Sequence, residues 1–175
     1  MKRYTFVKYG VISILILILF GGCASTGTIS VTTPMTVKLS TYKTMFLDIS
    51  SQVSGSSEET VQLETMTIVK LQEKGLFDKL IAGSSSPDAQ ADLRLNAKIV
   101  KLGRVTSEAR MWVGGMAGRA GIDVEVELFD LKESKTIGTF MAQGRSSGGT
   151  VFAGTTPQAV ERAVEQIVEF IQKNM

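Results

Sequence analysis

Two stretches of strict alternation constrain this chain most. Leu93, Leu95, Ala97 and Ile99 are apolar, while Asp92, Arg94, Asn96 and Lys98 between them are polar. Ile122, Val124, Val126 and Leu128 alternate in the same way with Asp123, Glu125 and Glu127. A period of two sends successive side chains to opposite faces of a strand, so each stretch predicts a strand with one buried and one wet face. The wet face of the first is mostly basic and that of the second is acidic. Opposed charges favour an antiparallel pairing of the two, by roughly 0.2–1 kcal/mol for each facing pair.

The other elements are read around this pair. Lys43 to Ile49 is a compact apolar run with strand character, followed by a turn at Ser51 to Ser56. Ser56 to Lys74 is too long for an ordinary strand. It opens on the capping-box pattern Ser56-Ser-Glu-Glu59 and stops at Lys74-Gly75, so a helix is predicted, buried on more than one side. A short strand from Leu76 to Ile81 comes next, then the loop Gly83 to Asp88. After the second alternating stretch, a turn at Lys132 to Lys135 leads into a strand from Thr136 to Gln143. The last element is an amphipathic helix. Thr156 is its expected cap, Pro157 suits the first position, and Val160, Val164, Ile167 and Ile171 form its apolar stripe. The expected class is α+β: a mainly antiparallel sheet of about five strands with two helices packed on one face, in a single domain over 42–175.

The N-terminus has a different character. Met1 to Tyr9 carries Lys2, Arg3 and Lys8 and no acid, and Val11 to Phe20 is an apolar run of about ten residues, half of what a spanning helix needs. The run ends in Phe20-Gly21-Gly22-Cys23-Ala24, which resembles the lipobox of bacterial lipoproteins, with phenylalanine where leucine is commoner. The resemblance implies a signal peptide over 1–22, cleavage before Cys23 and acylation of its thiol, so that acyl chains hold the protein to a membrane. Ala24 in place of an aspartate resembles the sorting pattern for the outer membrane of Gram-negative bacteria, on its periplasmic face. Residues 23–41, rich in Ser and Thr, are expected to be a tether that turns into a strand near its end.

Composition removes several functions. The chain has no histidine and a single cysteine, which excludes His-based zinc sites, Ser-His-Asp triads, Cys-His dyads, an internal disulfide and an all-Cys metal site. The formal charge is +2, but the three positive charges of the first segment account for more than that, and the remainder of the chain carries −1. A basic nucleic-acid-binding surface is therefore not expected. Asp123, Glu125 and Glu127 read as a solvated strand face rather than as a catalytic carboxylate pair. No catalytic residues, metal or cofactor are expected.

Between the alternating strands lies Arg110-Met111-Trp112-Val-Gly114-Gly115-Met-Ala-Gly118-Arg119-Ala-Gly121, with the one tryptophan of the chain. An arginine, a glycine-rich loop, an alternating strand closed by Asp130, and the later Gly144 to Gly149 together resemble a family of uncharacterised bacterial lipoproteins with a domain of unknown function. Lys132 to Lys135 departs from that family, whose turn usually holds a glycine. Three readings of the loop stand side by side. It is a plain connection; or a partner surface on which Met111 and Trp112 are the anchor, as at interface hot spots; or an anion site built from backbone amides and Arg119. Its glycines match no phosphate-loop signature. The expected function is that of a non-enzymatic, lipid-anchored envelope protein that binds another envelope component. The alternative is a small anionic-ligand binder or minor enzyme using residues 110–121.

Overall fold

The computed structural model describes residues 25–83, 91–105, 118–148 and 154–175. Six strands form one sheet: β1 (Thr26–Thr33), β2 (Thr44–Ser51), β3 (Lys79–Ala82), β4 (Leu93–Gly103), β5 (Gly121–Asp130) and β6 (Lys135–Arg145). Two helices, α1 (Ser57–Glu73) and α2 (Thr156–Lys173), pack against each other and against the sheet. The strand order is β1-β6-β5-β4-β2-β3.

The two alternating segments pair antiparallel, as their charges predict. Lys98 faces Glu125 and Lys101 faces Asp123. Their apolar sides, from Leu93 to Ile99 and from Ile122 to Leu128, are fully buried beneath the helices. The sheet as a whole corrects the expectation: it has six strands and is mixed rather than mainly antiparallel. β2 runs parallel to both β3 and β4. For β2 and β3 the cause is the β2-α1-β3 crossover, because a helix that carries the chain back over the sheet returns the next strand in the same direction. In keeping with a central strand, Met45, Phe46 and Leu47 of β2 are buried in succession, on both faces.

The stretch expected to be mostly tether supplies the strand β1 from Thr26 onward, paired antiparallel with β6 from Thr26↔Arg145 to Thr33↔Thr139. Its β-branched residues suit an extended ribbon, and the sheet offers β6 as a partner. The third strand begins at Lys79, later than the Leu76 start read from its apolar residues.

Helix α1 is buried on one stripe, not on several sides: Glu59, Leu63, Thr67 and Leu71 recur every fourth residue. Val61 and Val69 are exposed instead. The helix does end as expected, with Gly75 just beyond it at φ +59°, a conformation that glycine adopts at little cost. The capping box does not form, since Ser56 Oγ hydrogen-bonds the Val53 carbonyl and Ser51 Oγ. In α2 the cap position falls on Thr155, one residue before the expected Thr156, with no side-chain cap bond. Its apolar stripe lies as expected: Val160, Val164, Ile167 and Ile171 are fully buried, and the Phe170 ring stacks on Phe140 of β6, centroids 4.0 Å apart.

Candidate functional site

Because β4 and β2 are parallel and β5 and β6 alternate with them, one end of the sheet collects several chain breaks. There β2 and β6 finish and both helices begin, and the glycine-rich connection leaves β4 at Gly103 and enters β5 at Gly121. Of the residues singled out in that connection, Arg110, Met111, Trp112, Gly114 and Gly115 lie outside the described residues, as does Cys23. Gly118 and Arg119 are described.

Gly118 adopts φ +81°, a left-handed conformation that disfavours any side chain. Arg119 packs its guanidinium over Gly148, where an added Cβ would come within 2.7 Å of Nε. The next residue is locked from both sides: the Ala120 N–H donates to Ser146 Oγ at 2.9 Å, and the Ser146 N–H returns a bond to the Ala120 carbonyl at 2.9 Å. Both residues are fully buried. The glycines after β5 serve close packing. A Cβ on Gly144 would lie 1.9 Å from the Ala159 carbonyl, so α2 can rest on the sheet only where there is no side chain. At the start of α2, Gln158 Oε1 accepts bonds from the Ser147 N–H, the Ser147 hydroxyl and the Gly154 N–H. Both described loop bases are thereby tied down.

Two ion pairs at this end escaped the sequence reading. Arg104, just past β4, grips Glu59 in the first turn of α1 with two prongs, Nε to Oε1 at 2.6 Å and Nη2 to Oε2 at 2.8 Å, and also reaches the Gly55 carbonyl. The bonds from Arg104 outweigh the burial of Glu59 and hold its carboxyl below the usual glutamate range. Arg145, at the end of β6, pairs with Asp123 of β5 at 2.6 Å. A signal for the first pair is present in the sequence, but the capping-box spacing of Glu59 points to the helix's own amide rather than to a residue 45 positions away. A cavity of about 430 Å³ lies beside Arg104, between the first turns of the helices and lined also by Glu58, Glu59 and Gln62. With Arg104 committed to Glu59 and glutamates on its rim, the cavity is poorly suited to an anion.

Glu127, on the open sheet face, is held in place in the same way. Glu127 accepts bonds from Thr136 Oγ1 at 2.5 Å and Asn96 Nδ2 at 2.9 Å, and these lower its pKa. Arg94 stacks on Phe129, 4.8 Å from the ring centroid. Among the described residues there is no cluster of three or more carboxylate or thiol side chains able to hold a metal ion, and no helix is long and apolar enough to cross a membrane.

The profile of a domain of unknown function, DUF4410, matches residues 35–150 of the chain. No curated protein matches the sequence. Among solved structures, the chain is similar to the PelC dodecamer from Paraburkholderia phytofirmans, at 15% identity and a TM-score of 0.55, covering 82% of this chain and 96% of that one. A point variant of the PelC dodecamer from the same organism gives 17% identity and a TM-score of 0.54 over 82% and 95% of the two chains. A lower score, 0.44, relates it to lipoprotein GNA1162 from Neisseria meningitidis at 11% identity, over 75% of this chain and 99% of that one. The likeness to PelC shows a shared fold.

Proposed function

The chain belongs to the family of the domain of unknown function DUF4410, and from that premise we propose that it is a lipid-anchored protein of the cell envelope that works, without catalysis, by binding another macromolecule. The observation that carries the reading is the boundary Gly21-Gly22-Cys23 directly after a signal-length apolar run. The sheet supports it: β1 starts at Thr26, three residues beyond Cys23, so an acylated cysteine would hold the folded domain close against the membrane surface. In a Gram-negative organism that surface is the periplasmic face of the outer membrane. The contact with an envelope protein partner is made by the loop 110–121, with Trp112 and Met111 as its anchor. The described arginines beside this loop, Arg104 and Arg145, are matched by Glu59 and Asp123, which leaves the small-anion reading without support from them. That PelC, with the same fold, is a dodecamer is in keeping with assembly as the mode of action.

The test uses the full-length chain in its native membrane. Radiolabelled palmitate should enter the wild type and not the Cys23→Ser variant, which should accumulate as uncleaved precursor. Cross-linking followed by mass spectrometry should recover the same envelope protein from the wild type and lose it from Trp112→Ala, while the thermal unfolding of that variant stays unchanged. Label in the Cys23→Ser protein would overturn the anchor, and an unaltered cross-link in Trp112→Ala would overturn the loop as the contact.

A further inference from the structure

The two edges of the sheet are built differently. At one edge β3 is four residues long and begins with an exposed lysine, features that blunt an edge against further pairing. At the other edge β1 runs for eight residues, Thr-Gly-Thr-Ile-Ser-Val-Thr-Thr, with no charge and no proline, and its pairing with β6 keeps a regular register from Thr26 to Val31 before shifting between Val31 and Thr33. Its outer backbone groups face no strand among the described residues. Such an edge is a template for an added strand.

The helix-side face of this edge is also incompletely covered. Ile29 and Val31 point to the side on which α2 packs, as their partners Ala142 and Phe140 do. Yet Val31 remains 49% exposed. It lines a groove of about 560 Å³ with Ile29, Pro34, Met35 and Phe170, and the far wall carries Glu169 and Lys173 of α2. These two charges stand one helical turn apart, of opposite sign, and both are exposed.

We propose that β1 and this groove form a self-complementary surface on which a second copy of the chain pairs, β1 against β1 in antiparallel register about a two-fold axis. The charges choose this occupant. A two-fold axis normal to the sheet sets the two α2 helices antiparallel across the groove, so Glu169 of each copy faces Lys173 of the other. A two-fold contact uses the same patch twice and needs no second surface. Ile29 and Val31 of both copies then close over one another, and the outer amides and carbonyls of β1 gain partners. The self-pairing rests on the binding role proposed for the chain, for which it names one surface and its occupant.

The experiment is the mass of the lipidated, processed protein, extracted from its membrane in mild detergent and measured by sedimentation with the detergent subtracted. The wild type should have twice the protomer mass. Val31→Lys places a charge on the inner side of the edge and should give protomers with an unchanged circular dichroism spectrum. Glu169→Lys should weaken self-association by about tenfold or more, because like charges then meet twice across the axis. Adding Lys173→Glu to it should restore the dimer, and this reciprocal swap decides the matter should Val31→Lys fail to fold. A wild type that stays monomeric, a dimer that survives Val31→Lys, or a swap that restores nothing would overturn the proposal. A monomeric wild type that still cross-links to its partner through Trp112 would remove the self-pairing alone. A dimer in which Trp112→Ala changes nothing would remove the loop contact alone.

Discussion

Tyr42 donates its hydroxyl hydrogen to Asp130 Oδ2 across 2.7 Å, and both side chains are buried. The other oxygen of Asp130 accepts the N–H groups of Lys132 and Glu133, at 2.8 and 2.9 Å. One carboxylate thus shapes the β5–β6 turn and ties it to the segment that enters β2. Burial and the carboxylate beside it push the Tyr42 hydroxyl well above its ordinary pKa, so it remains a donor throughout the physiological range. Removing it with Tyr42→Phe leaves an acceptor oxygen buried without its partner. A loss of about 1–3 kcal/mol in unfolding free energy is expected, measured by urea denaturation. An unchanged midpoint would show that water replaces the hydroxyl without cost.

Acid should unfold this domain through a defined set of carboxylates. Glu59 is held below its usual pKa by Arg104, Asp92 by Lys132, and Glu127 by Thr136 and Asn96. Asp130 is lowered too: burial pushes it up, but the Tyr42 hydroxyl and two backbone amides outweigh that. A carboxylate with a depressed folded pKa binds fewer protons folded than unfolded. Its stabilisation is complete above the unfolded value and is lost as pH falls through the folded one, so melting temperature should be flat from about pH 5 to about pH 9 and fall steeply below about pH 4. Glu59→Gln removes one of these groups and should make the acid limb shallower. An acid limb of unchanged slope would take Glu59 out of the set.

Two glycines separate close packing from backbone conformation. Gly144→Ala drives a methyl into the Ala159 carbonyl, where a backbone atom must move, and should cost about 1–3 kcal/mol or more as α2 lifts from the sheet. Gly55 has φ +69° and open space around it, so Gly55→Ala carries only the conformational penalty, of about 1 kcal/mol. Calorimetric melting of the two variants should rank them in that order.

Helix α2 offers the same contrast between its faces. Ile167 is fully buried, and Ile167→Asp places a carboxylate there without a partner, at a cost of several kcal/mol, roughly the 2–7 typical of buried unpaired polar groups. Glu165 sits at the surface between Arg162 and Lys70. Its removal in Glu165→Ala should shift stability by about 0–1 kcal/mol. Similar melting temperatures for the two would mean that the helix presents a different face to the sheet.

What the sequence determined by itself is what depends on neighbours along the chain. The alternation at 93–99 and 122–128, the charges that set those strands antiparallel, the four-residue stripe of α2 and the helix stop at Gly75 are all local patterns, and the structure keeps each of them. Tertiary structure decided what depends on contacts between distant residues. Met45 to Leu47 is legible as an apolar strand, but that it is central and parallel comes only from where α1 carries the chain. Val61 and Val69 are as apolar as Leu63 and Leu71, yet only one stripe of α1 meets other elements, so two valines remain in water. Glu59 carries a cap signal from three residues away, yet its main partner is Arg104 across the fold, in a two-pronged guanidinium–carboxylate fork that no local spacing announces. Thr26 to Thr33 has the composition of a tether, since only Ile29 and Val31 alternate with its hydroxyl residues, too few to set it apart from the Ser- and Thr-rich run around them; it becomes a strand because β6 presents it with a row of backbone partners.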